Sequence, residues 1–131
     1  MADLNKTIFI ADDDEDVRIQ VRLMLESEGY TVIEAESEVQ ALGEIEKGNF
    51  DLAVLDLMME NKDSGFILAH KIKAKNPETP VIMVTAVTQE TSIHFEATTK
   101  QEKAWIKVDS FLEKSIRKEQ LIREVTKLLD K

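Results

Sequence analysis

A short apolar run that ends in consecutive acids lies near the start of the chain and reads Thr7-Ile8-Phe9-Ile10-Ala11-Asp12-Asp13-Asp14. Because the residues before the acids are almost all apolar, the run predicts a strand that is buried on both faces of a parallel sheet. The pattern recurs at Asp51-Leu52-Ala53-Val54-Leu55-Asp56, where an apolar run again ends in an acid. The two stretches therefore predict two buried strands, each with a carboxylate at its carboxyl end.

Stretches with helical periodicity separate these runs. The first predicted helix has its apolar face at Val17, Val21, Met24 and Leu25. Gly29 is placed to end this helix, because glycine favours the left-handed conformation that follows a helix. Ser37 and Gln40 form the capping-box pattern of a second helix, which Gly48 ends. A third helix must end before Pro77, since proline cannot continue a helix.

Three further strands are predicted at 30–34, 81–84 and 110–112, where apolar and β-branched residues are concentrated. A weaker helical pattern over 87–106 predicts a fourth helix. The fifth has its apolar face at Leu121, Ile122, Val125, Leu128 and Leu129. Because parallel neighbours need crossover connections, five strands that alternate with five helices predict one doubly wound α/β domain.

The composition excludes several classes of function. The chain of 131 residues has a formal net charge of -9, which disfavours direct contact with nucleic acid or anionic lipid. It has no Cys, which excludes disulfides, zinc–thiolate sites and thiol catalysis. Two His and four Gly are too few for a multi-histidine metal centre, a P-loop or a dinucleotide fingerprint. With no signal peptide and no membrane-spanning run, we expect a cytoplasmic protein without membrane insertion.

The acidic charge is concentrated in the first half of the chain. Residues 1–65 carry 5 basic and 17 acidic side chains, whereas residues 66–131 carry 12 basic and 9 acidic ones. In a doubly wound sheet, ligands bind at the carboxyl ends of the strands, where the sequence places Asp12, Asp13 and Asp56 together with Thr85 and Lys114. Clustered carboxylates repel one another unless a cation joins them, and oxygen ligands suit Mg2+. The sequence therefore predicts a magnesium site, with Asp56 placed as a nucleophile for a phosphoryl group.

Four stretches, each at a predicted strand end, read Ile8-Phe9-Ile10-Ala11-Asp12-Asp13-Asp14, Asp51-Leu52-Ala53-Val54-Leu55-Asp56-Leu57-Met58-Met59, Val81-Ile82-Met83-Val84-Thr85-Ala86 and Phe111-Leu112-Glu113-Lys114. Together and in this order they closely resemble the receiver domain of response regulators in two-component signalling. The resemblance implies a flavodoxin-like sheet in the order 2-1-3-4-5 with five helices in three layers. It also implies that residues 1–131 form a single receiver domain, and we expect no output domain.

The resemblance assigns a role to each site residue. Asp56 is expected to accept a phosphoryl group from a sensor histidine kinase or a phosphotransfer protein in a phosphorelay. Asp12, Asp13, Asp56 and the backbone carbonyl of Met58 are the expected Mg2+ ligands, with Asp12 acting mainly through bound water. Lys114 is expected to pair with the phosphoryl oxygens. Thr85 and Phe111 are the expected switch residues, and they alter a partner-binding face formed by the fourth helix, fifth strand and fifth helix.

The chain departs from the pattern of this family at several positions. Glu60 stands where Pro is common, and Gly65 comes one residue late, so we expect a different path for the loop after Asp56. Ser115 replaces the Pro that usually follows the lysine, and we expect this change to remove a cis peptide bond there. Thr85 and Lys114 are also 29 residues apart, which is longer than usual and indicates a longer segment on the partner-binding side.

Two other functions remain open at this stage. A receiver fold can serve as a docking module that works without phosphorylation, and the altered loop and Ser115 are compatible with that function. The pair Asp12 and Asp14 after an apolar strand is also similar to the motif of haloacid-dehalogenase-like phosphatases. However, Asp16 stands where that family has Thr or Val, and the chain leaves no room for a cap domain. We therefore expect a phosphoacceptor that catalyses only its own phosphorylation and dephosphorylation, not an enzyme.

Overall fold

A computed structural model describes residues 6–59, 64–86 and 108–130 of the chain. In chain order the elements are β1 (Thr7–Ala11), α1 (Glu15–Glu26), β2 (Thr31–Ala35), α2 (Glu38–Lys47), β3 (Leu52–Asp56), α3 (Ser64–Lys75), β4 (Val81–Thr85), β5 (Ser110–Glu113) and α4 (Lys118–Leu129). The fourth helix predicted over 87–106 lies outside these residues, so α4 is the helix that the sequence analysis counts as the fifth. Within the described ranges, no helix is long and apolar enough to cross a membrane.

The five strands form one parallel sheet in the order β2-β1-β3-β4-β5. This order confirms the predicted flavodoxin-like fold. The register aligns the carboxyl ends of the central strands, because Ala11 pairs with Leu55 and Asp56 pairs with Val84. Thr85 pairs in turn with Glu113. The residues that follow β1, β3, β4 and β5 therefore meet at one edge of the sheet.

The sheet is buried on both faces, as the apolar runs predict. Ile8 and Ile10 of β1 face a cluster built with α1 and α4, whose members include Val21, Leu25, Leu121 and Val125. Phe9 and Ala11 face the opposite cluster, which α2 and α3 complete with Ala41, Ile45, Leu68 and Ile72. Because side chains alternate between faces along a strand, one apolar run supplies both cores.

The helix ends follow the predicted caps, with one shift at the end of α1. The Ser37 side chain accepts a hydrogen bond from the Gln40 N–H at the start of α2, and Gly48 follows α2 in the left-handed region with φ of 67°. The first helix ends at Glu26, three residues before Gly29, which the sequence predicts to end it. The Tyr30 N–H donates to the Leu25 carbonyl oxygen, so Tyr30 belongs to the turn after α1, and β2 begins one residue later than predicted.

Candidate functional site

The carboxyl ends of β1, β3 and β5 bring two acids and a lysine together. The ammonium nitrogen of Lys114 lies 3.4 Å from an Asp12 carboxylate oxygen and 3.5 Å from an Asp56 carboxylate oxygen. Both acids are buried, with relative exposures of 3% for Asp12 and 4% for Asp56. The structure therefore joins residues that are separated by 58 positions in the sequence, from Asp56 to Lys114.

Asp12 is held at the end of β1 by hydrogen bonds to its backbone N–H and to its carboxylate. Its backbone N–H donates to the Ala35 carbonyl oxygen at 3.1 Å, which extends the pairing with β2 by one residue. The Asp14 backbone N–H donates to the Asp12 carboxylate at 2.9 Å. Asp14 itself caps α1, because its carboxylate accepts from the N–H groups of Asp16 and Val17. Capping therefore accounts for Asp14, as its position at a helix start predicts.

Asp56 ends β3, and the residues after it are held tightly. The Leu57 N–H donates to the Val84 carbonyl oxygen, and the Gly65 N–H donates to the Leu57 carbonyl oxygen, each at 2.8 Å. The Met58 N–H donates a hydrogen bond to the Asp56 carboxylate. A Cβ at Gly65 would lie 2.7 Å from the Asp56 carbonyl oxygen, so only glycine allows α3 to approach this closely.

Thr85 and Lys114 reach the same edge from β4 and β5. The Lys114 N–H donates to the Thr85 carbonyl oxygen at 2.9 Å, and Thr85 is buried at 5% exposure. The main chain of Thr85 is thereby joined to Lys114, whose side chain contacts the acids. The peptide bond between Lys114 and Ser115 is cis. The expectation that the absence of Pro removes this cis bond is therefore wrong.

Burial raises the pKa values of both buried acids, and the charge of Asp12 adds to this effect at Asp56. Burial and the nearby charge of Asp12 raise the pKa of Asp56 to about 7, although Lys114 and the Met58 N–H lower it. Burial also raises the pKa of Asp12. This effect outweighs the Asp14 N–H and Lys114, which both lower that pKa. Burial lowers the pKa of Lys114, but its attraction to Asp12 and Asp56 outweighs that effect and raises it overall. The attraction of Lys114 therefore does not offset the cost of burying the two ionised carboxylates.

Asp13 completes a group of three carboxylates with the chemistry of a divalent cation site. One carboxylate oxygen from each of Asp12, Asp13 and Asp56 lies within 4.8 Å of the other two, and Asp13 is exposed while the others are buried. A donor set made only of oxygen fits Mg2+, which binds through one or two carboxylates and keeps several waters. The exposed side at Asp13 leaves access for such waters and for a substrate.

The remaining predicted residues lie around this cluster rather than in it. The Met58 side chain is 48% exposed and the Phe111 side chain is 44% exposed. Phe111 pairs in register with Met83, two positions before the strand end at which Thr85 lies beside Glu113. Glu60 and the partner-face helix over 87–106 lie outside the described residues.

One residue at this edge has no counterpart among the sequence predictions. The guanidinium of Arg18 in α1 donates to the Asp12 carbonyl oxygen at 2.8 Å. In the sequence, Arg18 is one of several charged residues between the apolar positions of α1, which is the usual pattern of a solvated helix face. Its contact with Asp12 depends on how α1 packs beside β2, so periodicity alone offers no signal for it.

Comparison with known proteins identifies the family of this chain. The chain matches the model of the response regulator receiver domain over residues 8–126. It is 38% identical over 91 residues to the transcriptional regulatory protein ResD of Bacillus subtilis (strain 168), which covers 69% of this chain and 37% of ResD. Alignments with three such relatives cover 37%, 34% and 35% of those proteins, so the chain spans about a third of their length.

Solved structures match over nearly the whole chain. The crystal structure of the response regulator protein TrrA from Thermotoga maritima in complex with Mg(2+)-BeF is 29% identical, with a TM-score of 0.77. That match covers 95% of this chain and 99% of the other. A CheY-like response regulator receiver domain protein from Methanospirillum hungatei JF-1 is 26% identical, with a TM-score of 0.79 over 96% of this chain and 94% of the other.

Proposed function

Because the chain belongs to the response regulator receiver domain family, we propose that Asp56 accepts a phosphoryl group in a Mg2+-dependent transfer and thereby switches a protein-binding surface. The observation that carries this proposal is the position of Asp56, whose buried carboxylate ends β3 beside Lys114 and two further acids. The expected donor is the phosphohistidine of a sensor histidine kinase or of a phosphotransfer protein.

In the transfer, a carboxylate oxygen of Asp56 forms a bond to phosphorus while the P–N bond of the donor phosphohistidine breaks. The imidazole nitrogen leaves with the electron pair and takes up a proton, so the products are an aspartyl phosphate and a neutral histidine. A raised pKa leaves part of Asp56 protonated near neutral pH, and protonated carboxyl groups are poor nucleophiles. A cation beside Asp56 favours the reactive, ionised form.

Asp12, Asp13 and Asp56, with the backbone carbonyl of Met58, are the residues that we propose to hold Mg2+. When bound, the ion neutralises negative charge on the phosphoryl oxygens and on the carboxylates. Lys114 lies within reach of Asp56 and is proposed to pair with the phosphoryl oxygens once Asp56 is phosphorylated. The protein uses these groups on its own Asp56, so the activity proposed is limited to its own phosphorylation and dephosphorylation.

Thr85 and Phe111 are proposed to carry the signal from the site to the surface. The Thr85 hydroxyl is proposed to hydrogen-bond the phosphoryl group, a role supported by the main-chain bond that joins Thr85 to Lys114 at the same edge. Phe111 is 44% exposed and is proposed to move inward as Thr85 moves. The exposed face around β5 and α4, with the helix predicted over 87–106, is the proposed binding surface for a downstream protein.

Phosphorylation by a small-molecule donor tests the proposal directly. Purified protein is incubated with acetyl phosphate and Mg2+, and its mass is measured with and without a chelator. We expect one added phosphoryl group that requires Mg2+ and is absent from Asp56→Asn. Asp51→Asn is the matched control, because Asp51 precedes the same strand at its opposite end, where it accepts from the Thr7 N–H. Labelling of Asp56→Asn at the wild-type level contradicts the proposal, and no labelling of wild type favours a docking module without phosphorylation.

A further inference from the structure

Arg18 links the acidic cluster to the neighbouring edge of the sheet. One guanidinium nitrogen donates to the Asp12 carbonyl oxygen at 2.8 Å. The other two nitrogens face acids at the end of β2, with Nε 3.4 Å from Glu34 and the second terminal nitrogen 3.7 Å from Glu36. All three nitrogens of one planar group are therefore engaged, a geometry that lysine cannot reproduce.

Arg18 differs from its neighbour Arg22 both in burial and in its contact with Asp12. Its side chain is only 12% exposed, whereas Arg22, one turn further along α1, is 34% exposed. Arg22 pairs with the same Glu34 carboxylate and with Glu26. Of these two arginines, Arg18 is the one for which a bond to the Asp12 main chain is found. The two side chains share an ion-pair partner and differ in their contact with the cluster.

The bond from Arg18 fixes the peptide group on the carboxyl side of Asp12. The N–H on its other side is already bound to the Ala35 carbonyl oxygen, and the Asp14 N–H is bound to the Asp12 carboxylate. Asp12 is therefore held through its N–H, its side chain and its carbonyl, and Arg18 supplies the last of these. Without Arg18 the turn from Asp12 to Asp14 loses its charged anchor to β2.

We propose that Arg18 is a positioning residue that sets the geometry of the Asp12–Asp13 turn and thereby the affinity of the acidic cluster for Mg2+. The inference deepens the proposed function, because it names a residue that supports the same site without touching the cation. Partners that orient metal ligands change metal affinity by 10–100-fold when they are lost. We expect Arg18 to act at the lower end of this range.

Calorimetric titration with MgCl2 compares wild type, Arg18→Gln, Arg22→Gln and Arg18→Lys at a temperature at which each is folded. The dissociation constant for Mg2+ is expected to rise about tenfold in Arg18→Gln and less than about twofold in Arg22→Gln. Arg18→Lys retains the charge but not the three-way contact, so its dissociation constant is expected to stay within about threefold of the Arg18→Gln value. If Arg18 only stabilises the fold, its variants are less stable than wild type but bind Mg2+ with an affinity similar to that of Arg22→Gln.

Hydrogen exchange in the metal-free protein provides the second readout. The amides of Asp12 and Asp14 are expected to exchange about tenfold faster in Arg18→Gln than in wild type, and to be unchanged in Arg22→Gln. Equal Mg2+ affinity in Arg18→Gln and Arg22→Gln overturns the proposal, as does wild-type affinity in Arg18→Lys. If wild type binds no Mg2+, the Mg2+ site in the proposed function is wrong. Unchanged amide exchange of Asp12 and Asp14 in Arg18→Gln separately overturns the positioning role of Arg18.

Discussion

The substitution Asp56→Asn is predicted to make the metal-free protein more stable at alkaline pH. Burial and the charge of Asp12 raise the pKa of Asp56 from 3.8 to about 7, so ionised Asp56 destabilises the folded state. Each pKa unit corresponds to about 1.4 kcal/mol, and a shift of roughly three units therefore sets an upper limit of about 4 kcal/mol. Asparagine keeps the size of the side chain and can still accept from the Met58 N–H, but it carries no charge.

The direction of the pH dependence follows from the raised pKa. Below about pH 4 the carboxyl is protonated in both the folded and the unfolded chain, so its ionisation costs no stability. As the pH rises towards 7, the unfolded chain loses this proton while the folded chain keeps it, and the wild type becomes progressively less stable relative to Asp56→Asn. Above pH 7 both states are ionised and the difference reaches its maximum.

Urea unfolding in the presence of a chelator measures this difference. Between about pH 5.5 and pH 8, the free energy of unfolding of Asp56→Asn should gain about 2 kcal/mol relative to wild type, because roughly 1.5 pKa units of the shift lie in that interval. Asp51→Asn is the control, since Asp51 lies outside the acidic cluster. A stability difference between Asp56→Asn and wild type that does not change with pH refutes the reasoning, because the folded state would then not raise the pKa of Asp56.

Three further predictions concern the cation, the packing of α3 against Asp56 and the lifetime of the phosphorylated form. Mg2+ at ten times its dissociation constant should raise the free energy of unfolding of wild type by about 1.4 kcal/mol, as seen by urea unfolding, and should leave that of Asp56→Asn unchanged. Gly65→Ala should lower stability by about 2 kcal/mol in thermal unfolding, because its Cβ meets the Asp56 carbonyl oxygen at 2.7 Å. Gly43→Ala, which has open space around its Cβ, should instead gain about 0.5–1 kcal/mol, and equal effects of the two substitutions contradict this reasoning. The phosphorylated protein should persist far longer than seconds in Mg2+, because Met58 and Val87, the residues expected to flank the phosphoryl group, are apolar and cannot orient an attacking water. Decay of the phosphoryl group within seconds, measured by mass, contradicts that expectation.

The fold could be predicted from the sequence because its strands are buried on both faces. In such strands nearly every residue is apolar, as in Ile8 to Ala11 and Leu52 to Leu55, so the runs stand out against the helical stretches. The errors lie at element ends. The second strand begins at Thr31 and not Tyr30, because the Tyr30 N–H bonds to Leu25 in the turn after α1. Such a bond depends on how the turn closes, and the apolar pattern does not report it.

Some features of the candidate site can be predicted from local sequence, and others depend on contacts between residues that are far apart in the chain. That acids follow β1 and β3 is visible in the sequence, and parallel strands place such residues at one edge. Three properties of the site depend instead on the packed structure: the approach of Lys114 to Asp12 and Asp56, the raised pKa of Asp56 and the bond from Arg18 to Asp12.

The amino-acid sequence alone determined which residues form strands and helices and which acids stand at strand ends, because apolar periodicity is a local property of the chain. Only the tertiary structure decided that Asp56 is buried beside Asp12 with one lysine for both, and that Arg18 holds the Asp12 main chain. These contacts depend on strand register and helix packing across long sequence separations. The energy of a buried charge depends on its surroundings in space, which the order of residues does not contain.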